Sequence, residues 1–241
     1  MDILLLRLDA PLMSFGGVIV DHHNVTDRFP GLSLITGLFG NALGYTHGDA
    51  DALEALQDRI EYAARWDIEP EVLIDYHTVD LGQPKMREDG WTTRGRPEWR
   101  AGGNDARLGT HQRYRHYLAN GVMTVAVALL GEASPTTADL AQSLREPARP
   151  LFLGRKTCLP AAPILLDVVQ APDVLAALRA VAHAQRAGTD SHQPLRACWP
   201  EHLGTADQSH RVAVYDRRDW RNQVHAGRRM RVEGQLQVEA P

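Results

Sequence analysis

Residues 3–8, Ile-Leu-Leu-Leu-Arg-Leu, form a short apolar run bounded by Asp9, Ala10 and Pro11 and broken only at Arg7, which predicts a buried strand. A turn-rich loop follows, Pro11-Leu12-Met13-Ser14-Phe15-Gly16-Gly17, whose paired glycines permit close backbone approach. Between residues 27 and 44 the period becomes helical. Leu34, Ile35, Leu38, Phe39 and Leu43 supply the stripe, Ser33 is a candidate N-cap after Phe29-Pro30-Gly31, and Gly44 suits the C′ stop. Gly37 and Gly40 lie inside that helix, where each costs roughly 1 kcal/mol relative to alanine, so a close-packed neighbour is expected. Alternatively, the free N–H groups at the helix N-terminus face a phosphate. Leu53, Leu56 and Ile60 predict a second helix over 50–60, and strands are predicted over 61–66 and 72–81. The latter strand puts Tyr76 and Thr78 on one face and His77 on the other.

Further on, residues 122–130 are apolar throughout and read as a buried strand. Residues 137–144 form a helix capped by Thr136 or Thr137, with Pro147 beyond its end. Residues 150–163 read as a short strand running into Gly154-Arg155-Lys156; they lack the G-x-x-x-x-G-K-[ST] pattern, which excludes ATP binding on this loop. Val174, Leu175, Leu178, Val181 and Ala182 predict a helix over 173–187, with His183 structural, and residues 188–194 read as a loop. Short strands follow from Leu195 onward, including 211–215 and 229–238, joined by the charged connection 216–221. Without the long segment described next and the extra helix, the order is βαββαβ. That is an α+β, ferredoxin-like or RRM-like antiparallel sheet with helices on one face, an architecture whose sheet can serve as an RNA platform.

Residues 81–117 sustain neither period and cannot close a core of their own. Lys85, Arg87, Arg94, Arg96, Arg100, Arg107, Arg113 and Arg115 stand there against Glu88, Asp89, Glu98 and Asp105. Trp91, Trp99, Tyr114 and Tyr117 are interleaved with them, and His111 and His116 lie near the end. Cations between flat rings suit a single-stranded nucleic acid, charge for phosphates and faces for bases. A solvated, partly disordered insertion has the same composition.

The 241-residue chain is 44% hydrophobic and carries a net charge of −4, which fits a soluble globular protein and excludes a globally basic one. The charge is polarised. Residues 49–80 contain ten acids against Arg59 and Arg65, whereas the opening stretch and residues 211–231 are basic, as suits a protein with a polyanion on one side and protein neighbours on another. Cys158 and Cys198 have no metal or disulfide spacing, consistent with a reducing cytoplasm, and neither a signal-peptide pattern nor a membrane-spanning run is present. His22-His23 lack a third ligand at a sensible spacing, so no metal is expected. Tyr76, His77, His116 and Lys156 have the residue types of a metal-independent RNase, a base, an acid and a cation for the phosphorane.

Several segments then form an ordered series over residues 3–163, about two thirds of the chain. They are Leu5-Leu6-Arg7-Leu8 with Pro11-Leu12-Met13-Ser14-Phe15-Gly16; Arg28-Phe29-Pro30 with Ser33; 37–44 (Gly-Leu-Phe-Gly-Asn-Ala-Leu-Gly); Asp75-Tyr76-His77-Thr78-Val79; Arg113-Tyr114-Arg115-His116-Tyr117-Leu118; and 153–160 (Leu-Gly-Arg-Lys-Thr-Cys-Leu-Pro). Together they resemble the CasD (Cas-five) family, the RAMP-type subunit of type I-E CRISPR Cascade complexes. Ala10 and Met13 stand where that family often has Gly and Gln, and Leu32 replaces a frequent basic residue.

The resemblance implies a cytoplasmic, non-catalytic RNA-binding subunit without a cofactor. It would grip the 5′ handle of the CRISPR RNA and cap one end of an antiviral ribonucleoprotein. It would touch the large subunit and the terminal backbone subunit, with target DNA met only indirectly. Residues 1–165 would form the RAMP domain, 81–117 its inserted thumb, and 166–241 a small β-rich part with one helix. The RNA-binding residues would be Ser14, Phe15, Gly16, Arg28, Ser33, Tyr76, His77, Thr78, Arg113, Tyr114, Arg115, Gly154, Arg155 and Lys156. The arginines, Lys156 and the first helix's N-terminus would take phosphates; Tyr76, His77 and Tyr114 would take bases. Arg217, Arg218, Arg228 and Arg229 read as solvated. Two alternatives remain. One is a metal-independent endoribonuclease processing CRISPR precursor RNA through His77 or His116 with Lys156, since relatives in another subtype cut RNA. The other is a stand-alone RNA-binding or scaffold protein.

Overall fold

The computed structural model describes residues 1–17, 19–20, 22–80, 90–91, 97–98, 110–185 and 194–238. Lys85, Arg87, Arg94, Arg96, Trp99, Arg100, Arg107 and the Gly102-Gly103 pair lie outside these residues, as does the expected loop over 188–193. The strands are β1 (Asp2–Asp9), β2 (Leu12–Met13), β3 (Ile19–Val20), β4 (His23–Asn24), β5 (Ile60–Ile68), β6 (Glu71–Asp80), β7 (Gly90–Trp91), β8 (Pro97–Glu98), β9 (Thr110–Ala119), β10 (Val122–Leu129), β11 (Leu165–Gln170), β12 (Leu195–Pro200), β13 (His210–Val214), β14 (Arg218–Asp219), β15 (Val224–His225) and β16 (Arg229–Leu236). The helices are α1 (Leu32–Leu43), α2 (Ala50–Arg59), α3 (Thr137–Arg145) and α4 (Val174–Ala180).

Seven strands form one antiparallel sheet in the order β11-β1-β10-β5-β12-β16-β13. The near-continuous apolar character of β1 and β10 follows from burial on both faces. Leu4, Leu6 and Leu8 pack with Tyr62, Trp66, Met123 and Val125 beneath α1 and α3; Ile3 and Leu5 pack with Ala63, Ala126 and Trp199 beneath α4. Helices therefore cover both faces of this sheet, not one as expected. The C-terminal residues do not hang beside it: β11 forms one edge, and β12, β16 and β13 complete the other. Strands from both sides of residue 165 thus share one sheet.

The helix predicted over 173–187 ends at Ala180, and Val181 is already extended. A buried arginine, Arg65, captures carbonyls at its end. Across β1, β10 and β5 the residues Arg7, Thr124 and Arg65 stand in register. Arg65, fully buried, donates to Asp67 at 2.7 Å and to the carbonyls of Leu178 and Val181. Asp67 also accepts from Thr124 at 2.7 Å and from the Ala184 N–H at 2.8 Å, so the chain after α4 is pulled onto the sheet instead of winding on. Burial lowers the basicity of the Arg65 guanidinium, and Asp67 opposes that effect.

A second sheet, β2-β9-β4-β3 with β6 on the other edge of β9, rises from the first. The chain passes from the first sheet into β6 after Pro70 and returns from β9 at Asn120-Gly121, and these two turns touch: a Cβ on Gly121 would collide with Trp66 and Pro70. Residues 151–153, expected as a strand, form a hydrogen-bonded loop, with Leu153 N–H on the Cys158 carbonyl at 2.7 Å. No helix among the described residues is long and apolar enough to cross a membrane.

Candidate nucleic-acid interface

The core of the candidate site is the ten-residue ladder between β6 and β9, which pairs Glu71 with Ala119 through Asp80 with Thr110. On β9 the root is buried through Tyr117, Leu118 and Ala119 and exposure rises outward to Gln112, whereas β6 is exposed from its root, with Val72, Leu73 and Ile74 open to solvent. The period of 2 sorts the predicted residues onto two faces. Tyr76 and Tyr114 are directly paired and stand with Thr78 and His116 on one face; His77, Arg113 and Arg115 stand on the other.

The first face is an aromatic ladder. Tyr76 and Tyr114 rings lie 5.0 Å apart, and His23 stacks on Tyr114 at 4.8 Å with planes only 10° apart. His22 and His116 extend the group at 5.5 Å from Tyr114 and 6.1 Å from His23. β4 places His23 there, because it pairs parallel with β9 and sets His23 opposite Tyr114. Tyr76 is 50% exposed, which leaves a ring face open to a ligand. The Nε2 atom of His116 is buried without a hydrogen-bond partner. The doublet His22-His23, considered only as metal ligands in the sequence, belongs to this ladder; its signal is adjacency to an aromatic strand, which appears only after folding. No cluster of metal-ligating side chains occurs among the described residues.

On the second face His77 and Asp75 are in direct contact, and Asp75 lies opposite Arg115. Arg155 reaches this face. Its guanidinium sits 4.6 Å from the Tyr117 ring centre and donates to the carbonyls of His116 (2.9 Å) and Asn24 (3.1 Å). It clamps the 153–158 loop to β9 and β4. Lys156, next to it, is exposed and has no ion-pair partner among the described residues.

Two predicted loops meet beside this clamp. Ser14 N–H donates to the Leu153 carbonyl at 3.1 Å, and Gly154 has φ +100° with its backbone pressed onto the Ser14 carbonyl, where any Cβ would land on the oxygen. Only glycine fits there. Ser14 and Phe15 are buried, Phe15 stacking 6.1 Å from Trp66 in the core, so this loop offers a ligand its backbone and exposed Gly16 and not the Phe15 ring. Arg28 is exposed, its carbonyl accepting from Trp66 Nε1 at 3.2 Å.

Ser33 sits in the first turn of α1 and does not cap it; the N-cap is Gly31. The helix N-terminus, expected as a phosphate seat, is filled by the chain itself. Asp216 accepts from Leu32 N–H at 2.9 Å through its carboxylate and from Ser33 N–H at 2.9 Å through its carbonyl. Arg229 holds that carboxylate in a bidentate pair at 2.8 and 2.6 Å, and also donates to the Tyr62 hydroxyl, which in turn donates to the Pro30 carbonyl at 2.6 Å. Burial pushes the Asp216 carboxyl up, but the Arg229 hydrogen bonds and charge outweigh it and hold the group below the usual carboxylate range. Arg229 is thus a structural residue and not solvated as expected, and Arg217 and Arg218 are engaged too, on Asp58 and on Gln223 and the Trp220 ring.

A family profile described as CRISPR-associated protein (Cas_Cas5) matches residues 3–232. The chain belongs to the Cas5 family. Among Cas5-like relatives it is similar to the CRISPR system Cascade subunit CasD of Escherichia coli (strain K12), 30% identical over 178 residues, covering 73% of this chain and 75% of that protein. Two solved structures share the fold. One, described as a CRISPR RNA-guided surveillance complex, superimposes with a TM-score of 0.71 at 23% identity, covering 97% of this chain and 90% of its counterpart. The other, a crystal structure of a Cas protein, does so at 0.64 and 22% identity, covering 98% and 95%. The Cas5 match spans both sides of residue 165, as the seven-stranded sheet does.

Proposed function

We propose that this Cas5-family chain is a non-catalytic, CRISPR-RNA-binding component of a type I-E Cascade complex, gripping the 5′ handle of the RNA and capping one end of the assembly. The observation that carries this reading is the partly exposed Tyr76–Tyr114–His23 ladder on the β6–β9 hairpin. Bases stack on such rings without sequence readout, while Arg113 and Arg115 on the opposite face and Lys156 on the adjoining loop take phosphates. The hairpin is the root of the thumb, and Arg155 and Gly154 set its angle to the main sheet. The proposed interface comprises Gly16, Arg28, Tyr76, His77, Thr78, Arg113, Tyr114, Arg115 and Lys156. Ser14, Phe15, Ser33, Gly154 and Arg155 shape it from behind. The large subunit and the terminal backbone subunit are its protein neighbours, and target DNA is met through the complex.

The test measures binding of handle-bearing and handle-less RNA by the chain co-expressed with its Cascade partners, over a salt series. Preference for the handle, with affinity falling as salt rises, supports the proposal; equal binding of both RNAs at every salt concentration sinks it. The same RNA incubated without metal tests processing. His77 and His116 stand on opposite faces of the hairpin, so they do not converge as an acid and base on one phosphate. A His116→Ala variant that abolishes cutting would revive the nuclease reading.

A further inference from the structure

The hairpin face that carries Tyr76 and Tyr114 has rings but no fixed charge. From Val72 to Thr78 on β6 and from Gln112 to Leu118 on β9, the residues on that face include no lysine, arginine or carboxylate. Arg113 and Arg115 belong to the opposite face, with Glu71, Asp75 and His77 of β6. Arg155, from the adjoining loop, donates to the His116 and Asn24 carbonyls and lies over the Tyr117 ring. The β3–β4 pair sets Val20 against His23 and Ile19 against Asn24, and so adds no charged side chain. A nucleotide's phosphate stays close to its base. A single strand stacked on Tyr76 and Tyr114 therefore brings part of its negative charge to a face without a fixed cation.

What this face does carry is three imidazoles. The His22 and His23 rings lie 4.7 Å apart, His23 stacks on Tyr114 at 4.8 Å, and His116 stands 6.1 Å from His23. His22 and His23 are exposed, and His116 is partly buried. Among the described residues, the histidines paired with carboxylates are His77 and His202, not these three. An imidazole ordinarily changes charge near pH 6.5, and an opposite charge beside it favours the charged form. Two imidazoles this close oppose each other's protonation until an anion sits against them. An imidazolium stacked on the Tyr114 face gains further from the negative face of the ring.

We infer that His22, His23 and His116 form a proton-linked phosphate site on the stacking face, so that a bound RNA strand draws protons onto this cluster. The inference rests on the RNA-binding reading above and adds to it three contact residues and a pH dependence. Binding and protonation strengthen each other by the same factor, because linkage is reciprocal. One face thus serves both parts of a nucleotide, with rings for the base and protonated imidazoles for the phosphate.

The experiment measures binding of a labelled single-stranded RNA to the purified chain from pH 6 to pH 8, with a chelator present, at several salt concentrations. Uptake of one proton on binding makes affinity about tenfold higher at pH 6 than at pH 8 and steepens the salt slope by about 0.7. The double variant His22→Gln, His23→Gln should flatten the pH profile and change affinity at pH 8 little. His23→Arg, a fixed cation, should give at pH 8 the affinity that the wild type reaches only at pH 6. His77→Gln, on the other face, should keep the wild-type profile. A flat wild-type profile, a profile unchanged in the double variant, or no RNA binding at any pH overturns the site. Binding that tightens as pH rises, as a metal held by neutral histidines would give, overturns it too. Equal binding of handle-bearing and handle-less RNA, both tightening in acid, would strike the Cascade reading and leave the phosphate site standing.

Discussion

Replacing Asp216 by alanine removes two interactions at once, and the structure allows the loss to be estimated. The carboxylate caps α1 through the Leu32 N–H and pairs with Arg229; the two side chains are 12% and 21% exposed. Loss of an aspartate at a helix N-terminus costs about 1 kcal/mol. Leaving one partner of a buried pair alone costs about 3–5 kcal/mol, and Arg229 sits at the lower end because it keeps the Tyr62 hydroxyl and some solvent. The sum is about 4 kcal/mol, which at about 2–4 °C per kcal/mol lowers Tm by about 8–16 °C. Asp216→Asn keeps an acceptor for Leu32 N–H and should lose about half as much. The pH dependence has a definite sign. Because the folded Asp216 carboxyl lies below its ordinary value, its contribution is present above the unfolded pKa of about 3.9 and is lost as pH falls through the folded value. Urea titrations at pH 7 and at about pH 2.5 should therefore show a wide gap between wild type and Asp216→Ala at pH 7 that narrows in acid. A gap under about 1 kcal/mol at pH 7, or one unchanged at low pH, would refute the claim that this ion pair holds the helix.

Three further outcomes follow from the structure. Gly154→Ala places a Cβ on the Ser14 carbonyl oxygen at φ +100°, so it should cost about 2–5 kcal/mol in thermal or urea unfolding and weaken RNA binding with it, because two loops must separate. Tyr114→Ala removes the centre of the ladder and should reduce RNA affinity by about 1–3 kcal/mol without altering the salt slope, whereas Arg115→Ala should make the slope shallower by about 0.7; filter binding over a salt series separates the two. Burial pushes the Cys198 thiol up to about 11, so at pH 8 about one thousandth is thiolate, and iodoacetamide should label it only after unfolding; rapid native labelling would contradict the buried placement.

Much of the main sheet was legible because its strands carry their own evidence. β1 and β10 are apolar enough to require burial on both faces, and α1 shows its stripe, its interior glycines and its Gly44 stop. β11 was not legible: Leu-Leu-Asp-Val-Val-Gln has half-exposed apolar residues and becomes a strand only because β1 offers a free edge. The length of α4 failed for a similar reason, since Arg65 and Asp67, far away in sequence, end it. In the site, alternation correctly divided Tyr76 from His77. It could not show that His23 stacks on Tyr114, that Phe15 turns inward, or that Asp216 occupies the helix N-terminus, because each depends on a contact across many residues.

The route of the chain through its sheet also sets the order in which it can be made. β5 waits for β12, and the first turn of α1 waits for Asp216, 184 residues later. A ribosome that has released the first 190 residues has therefore delivered the aromatic ladder and the glycine loops but neither the strand that covers β5 nor the cap that fixes α1. Such long-range closures are slow and leave apolar edges open during synthesis. A chain cut short before its last fifty residues would carry the RNA-facing hairpin on an unfinished sheet. Translation to the end is thus a structural requirement for the part of the molecule made first.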